Sequence, residues 1–278
     1  MHKVLLVIVG LLFFAVQGAR AQTADEIIAK YIQKIGGMEK LQAIKTMRAT
    51  GKFSGGGGFE AVVIDESRRP NLQRNEFRLQ GMTGVSAFDG KTGWKIEPWN
   101  GKKDAESLSE DELKSYTDGD FDESLVNYKQ KNIKVEYVGK DEFEGSEVFK
   151  LKATLPSGTV KHYYMDTDYY VPIKIETKRM IRGAEVESEA ILGDYKEVAG
   201  VYFPHSYEVG QKGSPNKAKI TYEKMEANVA LDDKQFARPA IKAAPPAKTP
   251  EDAQIPKTKE KQTNPAAMEK PPVQNQPN

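Results

Sequence analysis

Residues that commonly perform catalysis are scarce in this chain. It has no cysteine, three histidines, and no Gly-x-Ser-x-Gly nucleophile motif. His2 belongs to an apolar N-terminal leader. His205 falls on the apolar stripe of an alternating segment, which is typical of a hydrogen-bonded core histidine. The sequence around His162 and His205 does not indicate that their two rings meet as metal ligands. We therefore expect no enzyme, although two carboxylates opposed across a polar cleft would favour a hydrolase.

Three alternate aspartates copy the first half of a calcium-binding loop. These are Asp118, Asp120 and Asp122. The pattern then fails, because Glu123 stands where the loop needs glycine and Lys129 where it needs a bidentate carboxylate. The pattern is more typical of a turn and helix cap. We predict no metal and no other cofactor.

The segment Arg69-Pro70-Asn71-Leu72 joins a turn to an apolar strand. Pro70 cannot donate to a sheet ladder, so it should lie at a strand start or on an edge. Arg69 has two interpretations. Its guanidinium could reach helix carbonyls or a ligand carbonyl across the end of the sheet, or it could be a solvated charge that protects a sheet edge.

A second segment, Asp89-Gly90-Lys91-Thr92-Gly93-Trp94, predicts a hairpin. Asp89-Gly90 is a turn signal between two apolar runs. Trp94, like the nearby Trp99, is either a core aromatic or a residue at the mouth of a cleft. The sequence leaves both alternatives open.

Two helices are predicted before residue 46. Thr23 and Glu26 form a capping box, and an apolar face at helical spacing follows. Gly36-Gly37 should end this helix. Met38 begins a second, short helix that runs to Ile44.

Beyond residue 46 the hydrophobic period changes from 3.6 to 2, which indicates half-buried strands. Turn signals separate the runs without helices between them, as in an antiparallel meander. One polar interval, 107–127, predicts one or two short helices. The fold class is therefore α+β and mainly β. Such a sheet buries its inner face most simply by curling around the helices, which leaves an apolar cleft. The alternating runs are 151–155, 171–176, 185–192 and 201–209.

The two ends of the chain differ from its middle. Residues 1–21 have a basic start, an apolar run and an Ala-x-Ala site, so we predict a signal peptide cleaved after Ala21. Without cysteine, the exported protein is not a lipoprotein and has no disulfides. Residues 240–278 form a Pro- and Lys-rich segment that we predict to be disordered, either inert or a tether. Residues 22–239 should form one domain.

Charge argues against a nucleic-acid partner. Removal of Lys3 and Arg20 with the leader leaves 39 basic and 40 acidic residues, a net charge near −1. A protein that binds nucleic acid usually carries a strong basic excess. We expect no nucleic acid and a monomer.

The order of these motifs resembles the LolA-type periplasmic lipoprotein carriers and their outer-membrane lipoprotein-sorting relatives. The resemblance spans roughly residues 23–239. It rests on five pieces: residues 28–53 with their double glycine, Arg-Pro-Asn-Leu at 69–72, Asp-Gly-Lys-Thr-x-Trp at 89–94 with Pro98 and Trp99, residues 165–174, and residues 231–239.

The resemblance implies an incomplete antiparallel β-barrel with N-terminal and mid-chain helices as a lid over an apolar cavity. That cavity would hold acyl chains of a lipoprotein or another lipid for delivery to the outer membrane. An inner-membrane transporter and an outer-membrane acceptor would be the partners. Arg69 would hold the lid closed through carbonyl contacts. An envelope sensor or interaction module on the same fold is the alternative. The candidate ligand-binding or lid residues are Arg69, Pro70, Trp94, Trp99, Phe203 and His205.

Overall fold

The computed structural model describes residues 22–240. The predicted signal peptide and the predicted disordered tail beyond residue 240 lie outside this range. Among the described residues, no helix has the length and apolar character needed to cross a membrane.

Within this range, thirteen strands and three α-helices form the fold. The helices are α1 (Ala24–Lys34), α2 (Met38–Ala43) and α3 (Glu110–Asp118), and short 3-10 turns cover Pro98–Asn100 and Asp233–Gln235. The strands are β1 (Thr46–Ser54), β2 (Glu60–Arg68), β3 (Leu72–Leu79), β4 (Met82–Phe88), β5 (Gly93–Glu97), β6 (Lys102–Ser107), β7 (Lys134–Phe143), β8 (Ser146–Thr154), β9 (Val160–Asp166), β10 (Pro172–Ile181), β11 (Ala184–Val198), β12 (Val201–Gln211) and β13 (Ala218–Ala227).

All thirteen strands belong to one antiparallel sheet. Its order is β6-β5-β4-β3-β2-β1-β13-β12-β11-β10-β9-β8-β7. Strand β1 pairs with β13, so the first and last strands meet in the middle of the sheet. The edge strands β6 and β7 do not pair with each other, and the curled sheet stays unclosed. This confirms the predicted fold class, a mainly β α+β protein with an incomplete antiparallel barrel.

The inner face of the sheet packs on helix α1. The capping box predicted at Thr23 and Glu26 is present. Ile27, Ile28 and Tyr31 are buried in one cluster with apolar residues of β8 and β9. The amphipathic face found in the sequence is therefore the face that covers the sheet.

A tight corner joins α1 to α2 and fixes both on the sheet. Gly36 has φ +128°, and a Cβ at this position would lie 2.2 Å from the carbonyl oxygen of Gly200. The adjacent Ile35 carbonyl accepts a hydrogen bond from the Tyr202 amide at 2.8 Å. Only glycine combines this backbone conformation with so close an approach to the β11–β12 turn.

The polar interval after β6 contains one helix, α3, capped by Ser109 and Glu112. It lies over the inner face of β3–β5. The Tyr116 hydroxyl is 2.8 Å from Ser86 Oγ, and Glu112 pairs with Lys95 at 2.6 Å. A segment without regular structure, residues 119–133, then leads to β7.

The C-terminal segment crosses the opposite face of the same strands. Trp94 donates from Nε1 to the Phe236 carbonyl at 2.9 Å. The Arg238 guanidinium donates to the Ala105 carbonyl on edge strand β6. Successive side chains on a strand point to opposite faces, so Lys95, which meets α3, and Trp94 are on different sides of the sheet.

Candidate functional site

A cavity of about 430 Å³ lies between the inner face of β10–β12, helices α1 and α2, and the segment after α3. This volume is typical of small-ligand pockets. Its walls are mainly apolar. They include Tyr31, Ile35, Leu41, Val126, Ile175, Ala190, Leu192, Phe203 and Tyr207.

Arg69 ties the structures that cover this cavity. It sits in the turn between β2 and β3. Its Nε donates to the Ile44 carbonyl at 2.7 Å, and one terminal nitrogen donates to the Leu41 carbonyl at 2.9 Å. The two terminal nitrogens also bind both oxygens of Asp122, at 2.6 and 2.7 Å. The guanidinium carbon lies 4.3 Å from the centroid of the Phe121 ring.

Several interactions compensate the burial of the charged Arg69 and Asp122 side chains. The Asp122 side chain is only 5% exposed and that of Arg69 is 22% exposed. A bidentate guanidinium–carboxylate pair is among the stronger charge-assisted hydrogen bonds. The two carbonyls come from the C-terminal end of α2, where a cation is also favoured by the helix dipole. One side chain therefore holds both α2 and the segment after α3 against the end of the sheet.

Glu123 gives the cavity a polar end. Its Oε1 accepts from the Tyr163 hydroxyl at 2.5 Å and from the Ser124 amide at 2.7 Å, and Lys161 Nζ lies 3.5 Å away. Tyr163 is fully buried beneath it. Lys161 also donates to Ser124 Oγ at 2.9 Å. The carboxylate is thus anchored from one side.

The electrostatic surroundings keep Glu123 ionised. Burial raises its pKa, but the charge of Lys161 and the hydrogen bonds from Tyr163 and Ser124 outweigh burial and bring the pKa to about 2. Burial, followed by the Glu123 charge, raises the pKa of Tyr31 and of Tyr207, so both phenols stay protonated. The cavity therefore combines apolar walls with one carboxylate and neutral hydroxyls.

Two further cavities have apolar or aromatic walls. One of about 540 Å³ shares Leu192, Tyr195 and Tyr202 with the 430 Å³ cavity. These three side chains separate two apolar spaces, and the Tyr195 hydroxyl is held by the Pro172 carbonyl at 2.5 Å.

The other cavity, of about 500 Å³, lies beside α3 and has an aromatic wall. Phe77 packs edge-on against Phe53 at 5.2 Å and against Trp99 at 5.7 Å between ring centroids. Asp65 lines this space, and burial raises its pKa despite hydrogen bonds from Asn75 and Tyr222.

The six candidate ligand-binding or lid residues lie in different parts of the structure. Arg69 holds the cover of the first cavity, and Phe203 lines that cavity. Trp99 is 40% exposed and lines the cavity beside α3. Three candidates line neither of these two spaces. Pro70 borders a separate pocket below α3, Trp94 is 4% exposed beneath the C-terminal segment, and His205 is buried with Nδ1 against the Phe203 carbonyl at 2.9 Å.

Sequence reasoning missed Asp122, Glu123 and Lys161. It interpreted Asp122 as part of a turn and cap, whereas its carboxylate pairs with Arg69. The available signal was weak. Lys161 lies between Val160 and His162 on a strand, and alternation alone does not show that the inner face of this strand meets a polar segment. Among residues 22–240, no cluster of three or more potential metal ligands occurs.

Comparisons with known proteins agree with this architecture. No protein-family model and no curated protein sequence matches the chain. Among solved structures, it is similar to a putative outer membrane lipoprotein-sorting protein domain from Vibrio parahaemolyticus, with 13% identity, a TM-score of 0.52, and coverage of 76% of this chain and 94% of the other.

Two more structures show the same likeness. A LolA-superfamily protein from Nitrosomonas europaea has 12% identity and a TM-score of 0.51, with coverage of 78% of this chain and 98% of the other. A DUF1329-family protein from Desulfovibrio piger has 11% identity and a TM-score of 0.54, with coverage of 77% and 96%. Fold and comparisons together identify the described part of the chain as a LolA-like fold.

Proposed function

We propose that this protein is a non-enzymatic periplasmic carrier that binds acyl chains of lipoproteins or other lipids for delivery to the outer membrane. The observation that carries the proposal is the 430 Å³ cavity, whose walls are mainly apolar and whose cover is held by Arg69. The likeness to a lipoprotein-sorting domain and the predicted signal peptide support this compartment and cargo.

Acyl chains suit such a site because their transfer from water is favourable by about 0.8 kcal/mol per buried methylene and needs no catalytic group. A carrier must also release its cargo. The cover is attached both by the hydrogen bonds of Arg69 and by core side chains such as Leu41 and Val126, so loss of the arginine contacts would loosen the cover while its apolar packing remains. Two adjoining apolar spaces, separated by three side chains, give room for longer chains.

Delivery requires two partners, which we propose to be an inner-membrane transporter that loads the carrier and an outer-membrane acceptor that unloads it. Each transfer must open the cover. Such a partner would therefore act where α2 and the segment after α3 meet Arg69, whose hydrogen bonds we propose to hold the cover in place.

The test is lipid binding by the exported protein. Mass spectrometry of natively purified protein should find an acyl lipid, and a fluorescent fatty acid should bind and be displaced by lipopeptide. Ala190→Phe places a ring in the cavity and should abolish binding. Ile191→Phe, one residue along β11 and on the other face, is the matched control and should bind as the wild type does.

Absence of bound lipid together with unaltered probe binding in Ala190→Phe would contradict the proposal. A stable protein partner without lipid, lost on removal of residues 240–278, would instead support an envelope sensor or interaction module on the same fold.

A further inference from the structure

Only one of the two carboxylate oxygens of Glu123 accepts hydrogen bonds from the described residues. All three of its hydrogen-bond donors, from Tyr163, Ser124 and Lys161, meet Oε1. No residue between 22 and 240 donates to Oε2. The side chain is 31% exposed and lines the cavity. An ionised oxygen is thus presented to the space that the proposed cargo would fill.

The other acidic side chains of this wall are already paired. Both oxygens of Asp122 are bound by Arg69. Asp120 pairs with Lys131 at 3.1 Å. Of these three acidic residues, Glu123 is therefore the one whose carboxylate has an oxygen available to accept a hydrogen bond from a ligand.

Neutral hydroxyls line the same cavity as this acceptor. Tyr31 and Tyr207 line the cavity, and within the described residues neither hydroxyl has a hydrogen-bond partner. Thr177 lies opposite Lys161 in the β9–β10 ladder and also lines the space. The polar end thus offers one anionic acceptor and several groups that donate or accept, which fits the head of an amphipathic molecule.

We propose that Glu123 Oε2 binds a protonated amine or amide N–H in the polar head of an acyl ligand, and so selects amine- or amide-headed lipids over carboxylate-headed ones. The inference rests on the proposed function, since the acyl chain of that ligand would occupy the apolar part of the same cavity. A donor head satisfies the exposed oxygen, whereas an anionic head meets like charge and leaves the oxygen without a partner.

Lys161 does not reverse this preference. Its side chain is only 18% exposed, and its ammonium already donates to Ser124 and to Glu123. An anion bound to Lys161 would lie beside the Glu123 carboxylate and repel it. The low pKa of Glu123 agrees with this assignment, because the carboxylate remains charged at neutral pH.

The experiment compares three single-chain probes of equal length, dodecylamine, dodecanol and dodecanoate, below their micelle concentrations and at neutral pH. Each competes with a neutral fluorophore bound to the whole exported protein. Dodecylamine should bind about tenfold or more tightly than dodecanoate, because a hydrogen bond to a charged group is worth at least a factor of that order. Glu123→Gln should bring the ratio close to one.

Glu39→Gln is the matched control. Glu39 is exposed on α2, so the variant loses the same charge outside the cavity and should keep the wild-type ratio. Glu123→Asp keeps the charge but withdraws it by one methylene, and should give an intermediate ratio. This variant, and the wild-type ratio itself, remain decisive if Glu123→Gln fails to fold.

The outcomes separate this inference from the proposed function. Displacement by all three probes with equal affinity would overturn the role of Glu123 while the carrier function stands. Displacement by none of them would overturn the carrier function. A preference that persists unchanged in both Glu123 variants would place head-group selection elsewhere and overturn the inference.

Discussion

Arg69 and Asp122 form a two-point ion pair beside the 430 Å³ cavity, with N–O distances of 2.6 and 2.7 Å. The two residues are separated by 53 positions in the chain. Arg69 lies in the β2–β3 turn, and Asp122 follows α3. Because the same guanidinium also binds the carbonyls of Leu41 and Ile44, one side chain joins three distant parts of the chain.

Arg69→Leu should open the cover without unfolding the sheet. It leaves Asp122 buried without a cation, a change that costs up to about 3–5 kcal/mol when a buried pair is broken. Part of this cost is avoided if the Asp122 side chain and the backbone of residues 119–122 turn toward solvent, while Leu125 and Val126 stay in the core. We therefore expect faster amide hydrogen exchange in 119–122 and faster release or transfer of a bound acyl probe.

The neighbouring Arg68→Leu serves as the control, because Arg68 contacts Asp233 and the Leu231 carbonyl of the C-terminal segment instead. It should leave release unchanged. Equal release rates in Arg69→Leu and the wild type would count against the role of Arg69 in closing the cavity.

Glu123 should make stability depend on acid pH. Its pKa falls from the usual 4.5 to about 2 on folding, so the folded state binds the proton less readily than the unfolded state. The stabilisation it contributes is complete above pH 4.5 and is lost as the pH falls toward about 2. Denaturant unfolding across this window should show a smaller loss for Glu123→Gln than for the wild type.

Glu112, whose pKa also falls to about 2, titrates in the same window. It is present in both proteins compared, so the difference between them isolates Glu123. Parallel curves for the two proteins would show that Glu123 has an ordinary pKa.

Trp94→Phe should lower stability and leave acyl binding intact. The substitution removes the hydrogen bond to the Phe236 carbonyl in a buried contact, at a cost of about 1–3 kcal/mol. Trp94 is remote from the cavity, so the affinity for a fatty-acid probe should not change. Thermal unfolding and probe titration measure the two effects.

The variant also leaves Trp99 as the sole tryptophan. Its emission should be that of a partly exposed ring and should respond to ligands in the cavity beside α3. Loss of acyl binding in Trp94→Phe would contradict its placement on the opposite face.

Gly36→Ala should destabilise the helical corner. A Cβ there meets the Gly200 carbonyl at 2.2 Å, in a backbone conformation that other residues avoid. The cost should exceed about 1 kcal/mol in denaturant unfolding. Gly56→Ala, at a hairpin tip where a Cβ has no neighbour within 4 Å, should be neutral. Similar stabilities of the two variants would argue against tight docking of the corner on the β11–β12 turn.

Local sequence signals determined the elements. The Thr23–Glu26 capping box and the spacing of Ile27, Ile28 and Tyr31 define α1, and alternation defines the strands that pair in the sheet. These signals act over a few residues, so a short stretch contains all the information they need. The hairpin predicted at Asp89 also forms, with a four-residue loop in which the Asp89 carboxylate accepts two backbone amides.

The sequence by itself determined the fold class, the double-glycine corner and the scarcity of catalytic groups. Tertiary structure alone decided which polar residues meet. Arg69 was visible as a charge beside a turn, but its pairing with Asp122 depends on where the segment after α3 crosses the end of the sheet. The same holds for Glu123 above Tyr163 and Lys161, because contacts between distant segments follow from how the whole sheet curls and not from local residue type.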